Sequence, residues 1–237
     1  MTTPKTNLFA SPHLRVKKLK TLTLALLLPL LLQACQTAPQ IPTSQRLQTV
    51  KQNRLLQLEQ DLKEQNLTLG APTFIRIFKE EKTLELWIKK EKRYEPFKKY
   101  EICKFSGTLG PKLFEGDLQS PEGFYEITAN QLNPWSKFHL SLNLGFPNQY
   151  DRAHGRTGSN LMIHGNCKST GCYAVTDEFM EEIYLLVEAS IAAGHPVHIH
   201  IFPFRMTDEN MTKHKHSKWI NFWQHLKHGY DQFENHE

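Results

Sequence analysis

The sequence predicts one mixed α+β domain that is rich in short strands and flanked by helices. Residues 73–79 and 82–90 alternate apolar and polar side chains, which is the pattern of half-buried strands. Residues 45–67 and 178–193 instead repeat apolar side chains at helical spacing. Hydrophobic residues make up 39% of the 237 residues and aromatic residues 11%, which is enough for a core and excludes a disordered chain. We therefore expect an α+β fold with peripheral helices.

The first elements are a helix and a β-hairpin. The apolar positions of residues 45–67 line one side of a helix, and the Gly-Ala-Pro segment 70–72 ends it. The two alternating segments 73–79 and 82–90 follow with a short acidic turn between them, which predicts a hairpin. Residues 100–106 are a third candidate strand.

The middle of the chain alternates long loops with short strands. Residues 107–123 are rich in glycine and proline, and loops of this length inside a domain are usually functional or mobile. Strands are predicted over 123–128, 138–144 and 160–164. The polar segment 145–158 is predicted as a second loop.

Helical spacing returns in the last third of the chain. Asp177 is the expected N-cap of a helix over 178–193, and Gly194 suits the position just after its end. Residues 196–203 alternate as a strand, and 208–229 are predicted as a final helix. The part after residue 70 has no clear internal boundary, so we treat it as one domain.

The N-terminus has the plan of an export signal. Basic residues precede the apolar run 21–34, which is too short for an ordinary membrane-spanning helix. The end of this run, with Cys35 after Leu-Gln-Ala, resembles a bacterial lipobox, in which the signal 1–34 is removed and the cysteine is acylated. A plain signal peptide or an anchor helix is the alternative. Residues 35–44 would then be a tether, and Gln36 resembles the residue of lipoproteins sorted to the outer membrane. We expect a periplasm-facing envelope protein held to the membrane by lipid.

The charge of the chain is mildly basic. The formal net charge is +5 and the pI is about 8.9. No basic helix with interleaved aromatic residues is present, so we do not expect a nucleic acid as partner. A basic surface suits an anionic polymer.

The cysteine count points to one unpaired thiol. Once Cys35 is set aside, Cys103, Cys167 and Cys172 remain, an odd number for an exported chain. A Cys103–Cys167 disulfide with Cys172 free is the simplest arrangement, although connectivity cannot be read from the sequence.

The segment 163–173 contains the residues that are the candidates for a catalytic site. His164 could take the thiol proton of Cys172, and the backbone around Gly171 could hold an oxyanion. The polar turn before Cys172 lies close to the predicted helix, and this position predicts a thiolate. Cys172 could also be a small buried residue, since free cysteines are often buried. Alternatively, His164, Cys167 and Cys172 could bind zinc, but no second ligand pair follows.

These residues resemble the L,D-transpeptidase catalytic domain, the YkuD-like family of bacterial cell-wall enzymes. The resemblance covers residues 70–206 and leaves the helix 45–69 and the tail 207–237 outside it. Thr170 stands where the family signature has a second histidine, and the spacing from His164 to Cys172 is shorter than usual. Both departures match the family's YafK-type subgroup of murein proteins. Further matching segments are 106–112, 115–117, 121–125, 145–148, 156–158 and 201–205.

The resemblance implies a role for each residue of the segment. Cys172 would be the nucleophile and His164 the base, and the carbonyl of Gly165 would orient the imidazole. The N–H groups of Gly171, Cys172 and Tyr173 would form the oxyanion hole. Ser169 would brace the turn.

The resemblance also implies the fold and the substrate. The fold would be the β-rich mixed YkuD-like fold, and no cofactor would be needed. Arg156 could bind a carboxylate of a peptidoglycan stem peptide, or it could be structural. The loop 107–123 could line the cleft, with Lys112, Glu115 and Asp117 fixing its shape.

Two functions are expected from different classes. In the first, Cys172 forms a thioester at a diaminopimelate-type residue. An amine then resolves it in a transpeptidation, or water resolves it as in an amidase that could free wall-linked lipoprotein. The alternative is a degenerate, non-catalytic wall-binding domain or a zinc-stabilised one.

Overall fold

The structure is a computed structural model that describes residues 40–235. The predicted signal peptide 1–34, the lipidation site Cys35 and residues 36–39 of the tether lie outside the described residues. Within residues 40–235 no helix has both the length and the apolar character needed to cross a membrane.

A five-stranded mixed sheet forms one half of the domain, in the order β3-β2-β1-β9-β4. β1 and β9 are parallel, and the other neighbours are antiparallel. The central strand β1 is buried along its whole length, because the sheet is covered on both faces. The strands are β1 (Thr73–Phe78), β2 (Thr83–Lys90), β3 (Arg93–Glu101), β4 (Gly123–Ile127) and β9 (Val197–Phe202).

A smaller four-stranded sheet carries the candidate site. Its order is β5-β6-β7-β8, and only the last pair, β7 and β8, is parallel. A short 3₁₀ helix, Ala129–Gln131, leads into it. The strands are β5 (Leu132–Asn133), β6 (Ser141–Asn143), β7 (Met162–His164) and β8 (Tyr173–Ala174).

Within residues 40–235, five α-helices surround the sheets. The apolar sides of α1 and α3 pack into the main core, which both sheets share. α5 closes the other face of the large sheet through a second cluster around Phe78, Phe202 and Trp223. The helices are α1 (Gln45–Glu64), α2 (Gln149–Ala153), α3 (Asp177–Ala192), α4 (Asp208–Lys213) and α5 (Ile220–Glu234). The α+β class predicted from the sequence is confirmed.

The third strand differs from the prediction. The sequence predicts a strand over 100–106, whereas β3 spans Arg93–Glu101. β3 is an edge strand on which only Phe97 and Tyr100 are buried, so most of its residues are polar and its alternation is hidden. Of the residues that follow it, Lys104 makes a single bridge to Ala174.

The final helix is also divided. The sequence predicts one helix over 208–229, but the chain leaves α4 at its C-cap residue His214 and starts again at Ile220. The break coincides with Ser217, whose Oγ accepts the Trp219 N–H at 3.2 Å. Serine side chains compete with the helix for backbone donors in this way.

The start of α3 lies one residue from the predicted cap. Thr176 is the N-cap, and its Oγ1 accepts the N–H of Phe179 at 3.3 Å. Asp177 is the first helical residue instead, and its carboxylate accepts the N–H of Asn166 at 2.7 Å. Gly194 follows the helix with φ +89°, a conformation that glycine adopts without strain.

A buried ion pair links the large sheet to the 107–123 loop. Lys79 follows β1 and donates from Nζ to Glu122 Oε1, to the Gly110 carbonyl and to the Ser120 carbonyl, each at 3.0 Å. The second carboxylate oxygen of Glu122 accepts the Trp223 indole N–H at 2.9 Å. Both charged side chains are fully buried. Burial lowers the pKa of Lys79, and the negative charge of Glu122 opposes this effect.

Replacing Glu122 by glutamine should destabilise the fold strongly. The substitution leaves the buried Lys79 ammonium without a counter-ion, which costs about 3–5 kcal/mol in comparable pairs. Denaturant unfolding of Glu122→Gln measures this loss. Glu80→Gln is the matched control, because Glu80 pairs with Lys213 at the surface and such pairs contribute about 0–1 kcal/mol. Equal losses in the two variants would contradict the prediction.

Candidate active site

The candidate site lies where β7 and β8 run side by side. His164 is the last residue of β7, and Cys172 directly precedes β8. The register pairs Ile163 with Tyr173 and His164 with Ala174. Because side chains alternate between the faces of a sheet, Cys172 and His164 project from the same face of adjoining strands. The fold therefore places on one sheet face the two residues that the sequence pairs as nucleophile and base.

The His164 ring is held on two sides. Its Nδ1 lies 2.6 Å from the carbonyl oxygen of Gly165, and since a carbonyl can only accept, Nδ1 carries the proton. The ring of Phe138 stacks on it with centroids 4.7 Å apart and planes 25° apart. Burial lowers the pKa of His164, and the hydrogen bond to Gly165 opposes this effect only in part. The imidazole is therefore neutral at neutral pH.

Gly165 has no room for a side chain. A Cβ atom there would lie 2.4 Å from Asp177 Oδ1, 3.1 Å from His139 Cβ and 3.2 Å from the Phe138 carbonyl oxygen. The close approach lets the Gly165 N–H donate to that same carbonyl at 3.1 Å while its own carbonyl accepts from His164. The absence of a side chain at Gly165 thus allows the backbone position from which its carbonyl orients the imidazole.

Cys172 is partly buried, and the groups around its thiol have opposing effects on its pKa. The sulfur is 3.6 Å from the Asn160 carbonyl oxygen. Burial raises the pKa of Cys172, although a hydrogen bond with the Met162 backbone and the positive charge of Lys112 lower it in part. The resting cysteine is therefore a thiol.

The expectation that a helix N-terminus stabilises a Cys172 thiolate was wrong. α3 starts only at Asp177, and β8 lies between the cysteine and that helix. Dipole effects of a helix fall off within its first turn. The thiol instead lies beside a sheet, where removal from water decides the direction of its pKa shift.

Two serines fix the backbone of the cysteine turn. The Cys172 carbonyl oxygen accepts from Ser169 Oγ at 2.7 Å and from Ser120 Oγ at 3.0 Å. Gly171 has φ +141°, which residues with a side chain rarely adopt. Ser169 thus makes hydrogen bonds within the turn, and its bracing role stays a prediction. Ser120 was not singled out from the sequence, although it directly precedes the matching segment 121–125.

The residues proposed as oxyanion donors, Gly171 and Tyr173, make different contacts. The Gly171 N–H points at Ser169 Oγ over 3.3 Å, a long hydrogen bond that leaves this donor weakly engaged. The Tyr173 side chain is fully buried, and its hydroxyl donates to the Pro121 carbonyl at 2.7 Å. This anchor holds the backbone beside Cys172, while the oxyanion role of these N–H groups stays a prediction.

A disulfide lies beside the turn. Cys103 and Cys167 are joined with sulfurs 2.09 Å apart, and Cys172 is a free cysteine. The bond removes Cys167 from the zinc set of His164, Cys167 and Cys172, because a disulfide sulfur cannot serve as a thiolate ligand. In the part of the chain that the structure describes, no group of three metal-binding side chains comes together.

Arg156 is placed in the interior. Its Nη1 donates to Asp151 Oδ1 at 2.7 Å, and the side chain is 6% exposed. The guanidinium also lies 4.7 Å from the centre of the Phe222 ring and 5.2 Å from that of Tyr150. The carboxylate that Arg156 binds in the structure is therefore internal, which favours the structural alternative.

Sequence comparisons agree with the geometry. The family model for the YkuD domain, described as the L,D-transpeptidase catalytic domain, matches residues 72–199. The chain is also 52% identical over 167 residues to "Putative L,D-transpeptidase YafK" of Escherichia coli (strain K12), covering 70% of this chain and 68% of that protein. The chain belongs to the L,D-transpeptidase catalytic domain family.

Comparison with solved structures gives more distant likenesses. The helical cell shape determining protein Pgp2 from Campylobacter jejuni has a TM-score of 0.47 and 17% identity, covering 77% of this chain and 78% of that one. Its K307A mutant has a TM-score of 0.45 and 21% identity, covering 67% and 56% of the two chains.

Lys112 and Asp117 fix the loop beside the cysteine in this L,D-transpeptidase domain. The Lys112 ammonium donates to Asp117 Oδ1 at 2.5 Å and to the Phe114 carbonyl at 3.0 Å. The other oxygen of Asp117 accepts the N–H of Leu113 at 2.7 Å. The loop-fixing role expected for both residues is confirmed. The structure adds that the charge of Lys112 acts on the Cys172 thiol.

Removing the Lys112 charge should raise the pKa of Cys172 further. The thiolate loses an attractive cation in Lys112→Met, so iodoacetamide should alkylate Cys172 a few-fold more slowly at neutral pH. The pH dependence of alkylation, followed by intact mass, checks this. Lys112→Arg keeps the charge and should retain the wild-type profile. A Lys112→Met profile that moves to lower pH would show that Lys112 does not stabilise the thiolate.

Proposed function

We propose that this chain modifies peptidoglycan stem peptides through a thioester on Cys172. The observation that supports this most directly is the juxtaposition of Cys172 and His164 on one sheet face, with the Gly165 carbonyl orienting the imidazole. In an L,D-transpeptidase family member, this arrangement fits a cysteine nucleophile with a neutral base.

The proposed acylation starts from a neutral pair. Nδ1 of His164 is engaged by Gly165, so Nε2 is the nitrogen that takes the Cys172 proton as the sulfur attacks an amide carbonyl of the stem peptide. The C–S bond forms while the amide C–N bond breaks. The imidazolium then returns the proton to the leaving amine, and a thioester remains.

Deacylation decides the outcome. His164 accepts a proton from an incoming amine or water, whose attack on the thioester releases Cys172. An amine from another stem completes a transpeptidation, and water completes a hydrolysis. The target would be the diaminopimelate-type residue, and hydrolysis there could free a wall-linked lipoprotein. The second candidate, a non-catalytic wall-binding domain, has the partly buried thiol in its favour.

We infer the cellular location from the N-terminal sequence. The signal-like residues 1–34 and the lipobox-like sequence before Cys35 support a lipoprotein in the cell envelope that faces the periplasm from the outer membrane. Radiolabelled palmitate should enter the wild-type protein and not Cys35→Ser. Equal labelling of both would remove the lipid anchor from the proposal.

Loss of the Cys172 sulfur should abolish turnover without unfolding the domain. Cys172→Ala and Cys172→Ser remove the nucleophile from a partly exposed turn, so their melting temperatures should stay near that of the wild type. Muropeptide turnover, followed by mass spectrometry, should fall to background. A carbapenem should add covalently to the wild type alone, and turnover by Cys172→Ala would exclude the mechanism.

The pH dependence follows from the two shifted groups. Protonated His164 cannot accept a proton, and burial lowers its pKa, so the acid limb of kcat/KM should lie below the ordinary histidine value. The thiol pKa is raised, so alkylation of Cys172 should reach its plateau above the ordinary cysteine pKa. Strong thiolate absorbance at neutral pH would contradict the neutral pair.

Defined wall fragments distinguish the two outcomes. Cross-linked or lipoprotein-bearing muropeptides are incubated with and without an amine acceptor, with Cys172→Ala as control. A product carrying the acceptor shows transpeptidation, and a free carboxylate shows hydrolysis. No Cys172-dependent product on any fragment would favour the wall-binding alternative.

A further inference from the structure

A loop outside the central motif holds the candidate base. In this loop, residues 134–140, the ring of Phe138 stacks on His164 with centroids 4.7 Å apart. The Gly165 N–H donates to the Phe138 carbonyl at 3.1 Å and also lies 3.3 Å from the Leu140 carbonyl oxygen. The 134–140 loop therefore contacts both the imidazole and the glycine that orients it.

The 134–140 loop is hydrogen-bonded to the N-terminal helix α1 as well as to the sheet residues beside it. Arg46, in the first turn of α1, donates from Nη1 to the Ser136 carbonyl at 2.7 Å and to the carbonyl of His139. Ser44, the N-cap of α1, donates from Oγ to the Pro134 carbonyl at 2.9 Å. Three backbone acceptors of the loop thus depend on the start of α1.

His139 shows why the loop needs these ties. Its φ of +69° is unusual for a residue with a side chain, and such conformations persist only where the surroundings hold them. Its Nε2 lies 2.9 Å from Glu181 Oε1 on α3, and Glu181 in turn accepts from Arg54 of α1 at 2.7 Å. The strained residue lies directly after Phe138, so its release would move the ring from His164.

α1 does not depend on Arg46 for its own place. Leu47, Val50, Leu58 and Leu62 bury its apolar side in the core, and Lys51 pairs with Glu188 of α3 at 2.7 Å. The helix lies outside residues 72–199, which match the family domain. Substitution of an exposed arginine in its first turn should therefore leave the helix docked.

We propose that Arg46 is a positioning residue, and that α1 holds the 134–140 loop against His164 so that the base keeps its catalytic orientation. This inference rests on the proposed function only in taking His164 as the base. The helix is then a working part of the site, although it lies outside the segment that resembles the family.

The test compares Arg46→Ala with Lys63→Ala, which removes one exposed cation from the last turn of the same helix. Arg46→Ala should lower kcat on muropeptides roughly tenfold or more with KM within about twofold, because small misplacements of a catalytic group have effects of this size. Lys63→Ala should leave kcat unchanged. Arg46→Lys should restore most of the rate, since one nitrogen serves both carbonyls in the structure.

A measurement that needs no turnover separates this inference from the proposed function. The stacked Phe138 ring shifts the NMR resonances of the His164 imidazole, and Arg46→Ala should move them toward ordinary values while Lys63→Ala should not. Should Arg46→Ala fail to fold, Phe138→Leu should give the same loss of kcat. Unchanged kcat and unchanged His164 resonances in Arg46→Ala would overturn the inference, whatever the result for Cys172→Ala.

Discussion

The buried pair of Lys79 and Glu122 is the contact on which the site's scaffold depends. A charge taken out of water needs compensating partners. The Lys79 ammonium and the Glu122 carboxylate therefore each make several hydrogen bonds to the groups around them. In doing so they join the large sheet, the 107–123 loop and α5 at one point. The loop held there supplies Ser120, which donates to the Cys172 carbonyl. The stability of the fold and the placement of Cys172 therefore share one interaction.

The site itself is built mainly from neutral groups. A backbone carbonyl orients His164, an aromatic ring covers it, and burial shifts the pKa of the imidazole down and that of the thiol up. Both shifts favour the uncharged forms of the imidazole and the thiol. Lys112 is the charged residue that opposes this preference at the sulfur.

Elements at the edge of the domain complete the site. The Cys103–Cys167 disulfide fixes the turn that follows His164, and a cross-link over 64 residues restricts the unfolded chain. On the other side, α1 holds the 134–140 loop through Arg46 and Ser44. The oxidised bond also fits the export that the N-terminal sequence predicts.

The sequence by itself determined the α+β class and most of the strands, and it proposed His164 and Cys172 as a pair, because alternation, helical spacing and the motif are local patterns. It also indicated the family through its matching segments. Only the tertiary structure decided what depends on burial and on distant partners. Arg156 pairs with Asp151 in the interior, and burial raises the pKa of Cys172, which was expected to be lowered. Most residues of the edge strand β3 are exposed and polar, so its sequence shows little alternation. Ser120 and Phe138 joined the site through contacts with Cys172 and His164 that no spacing reveals.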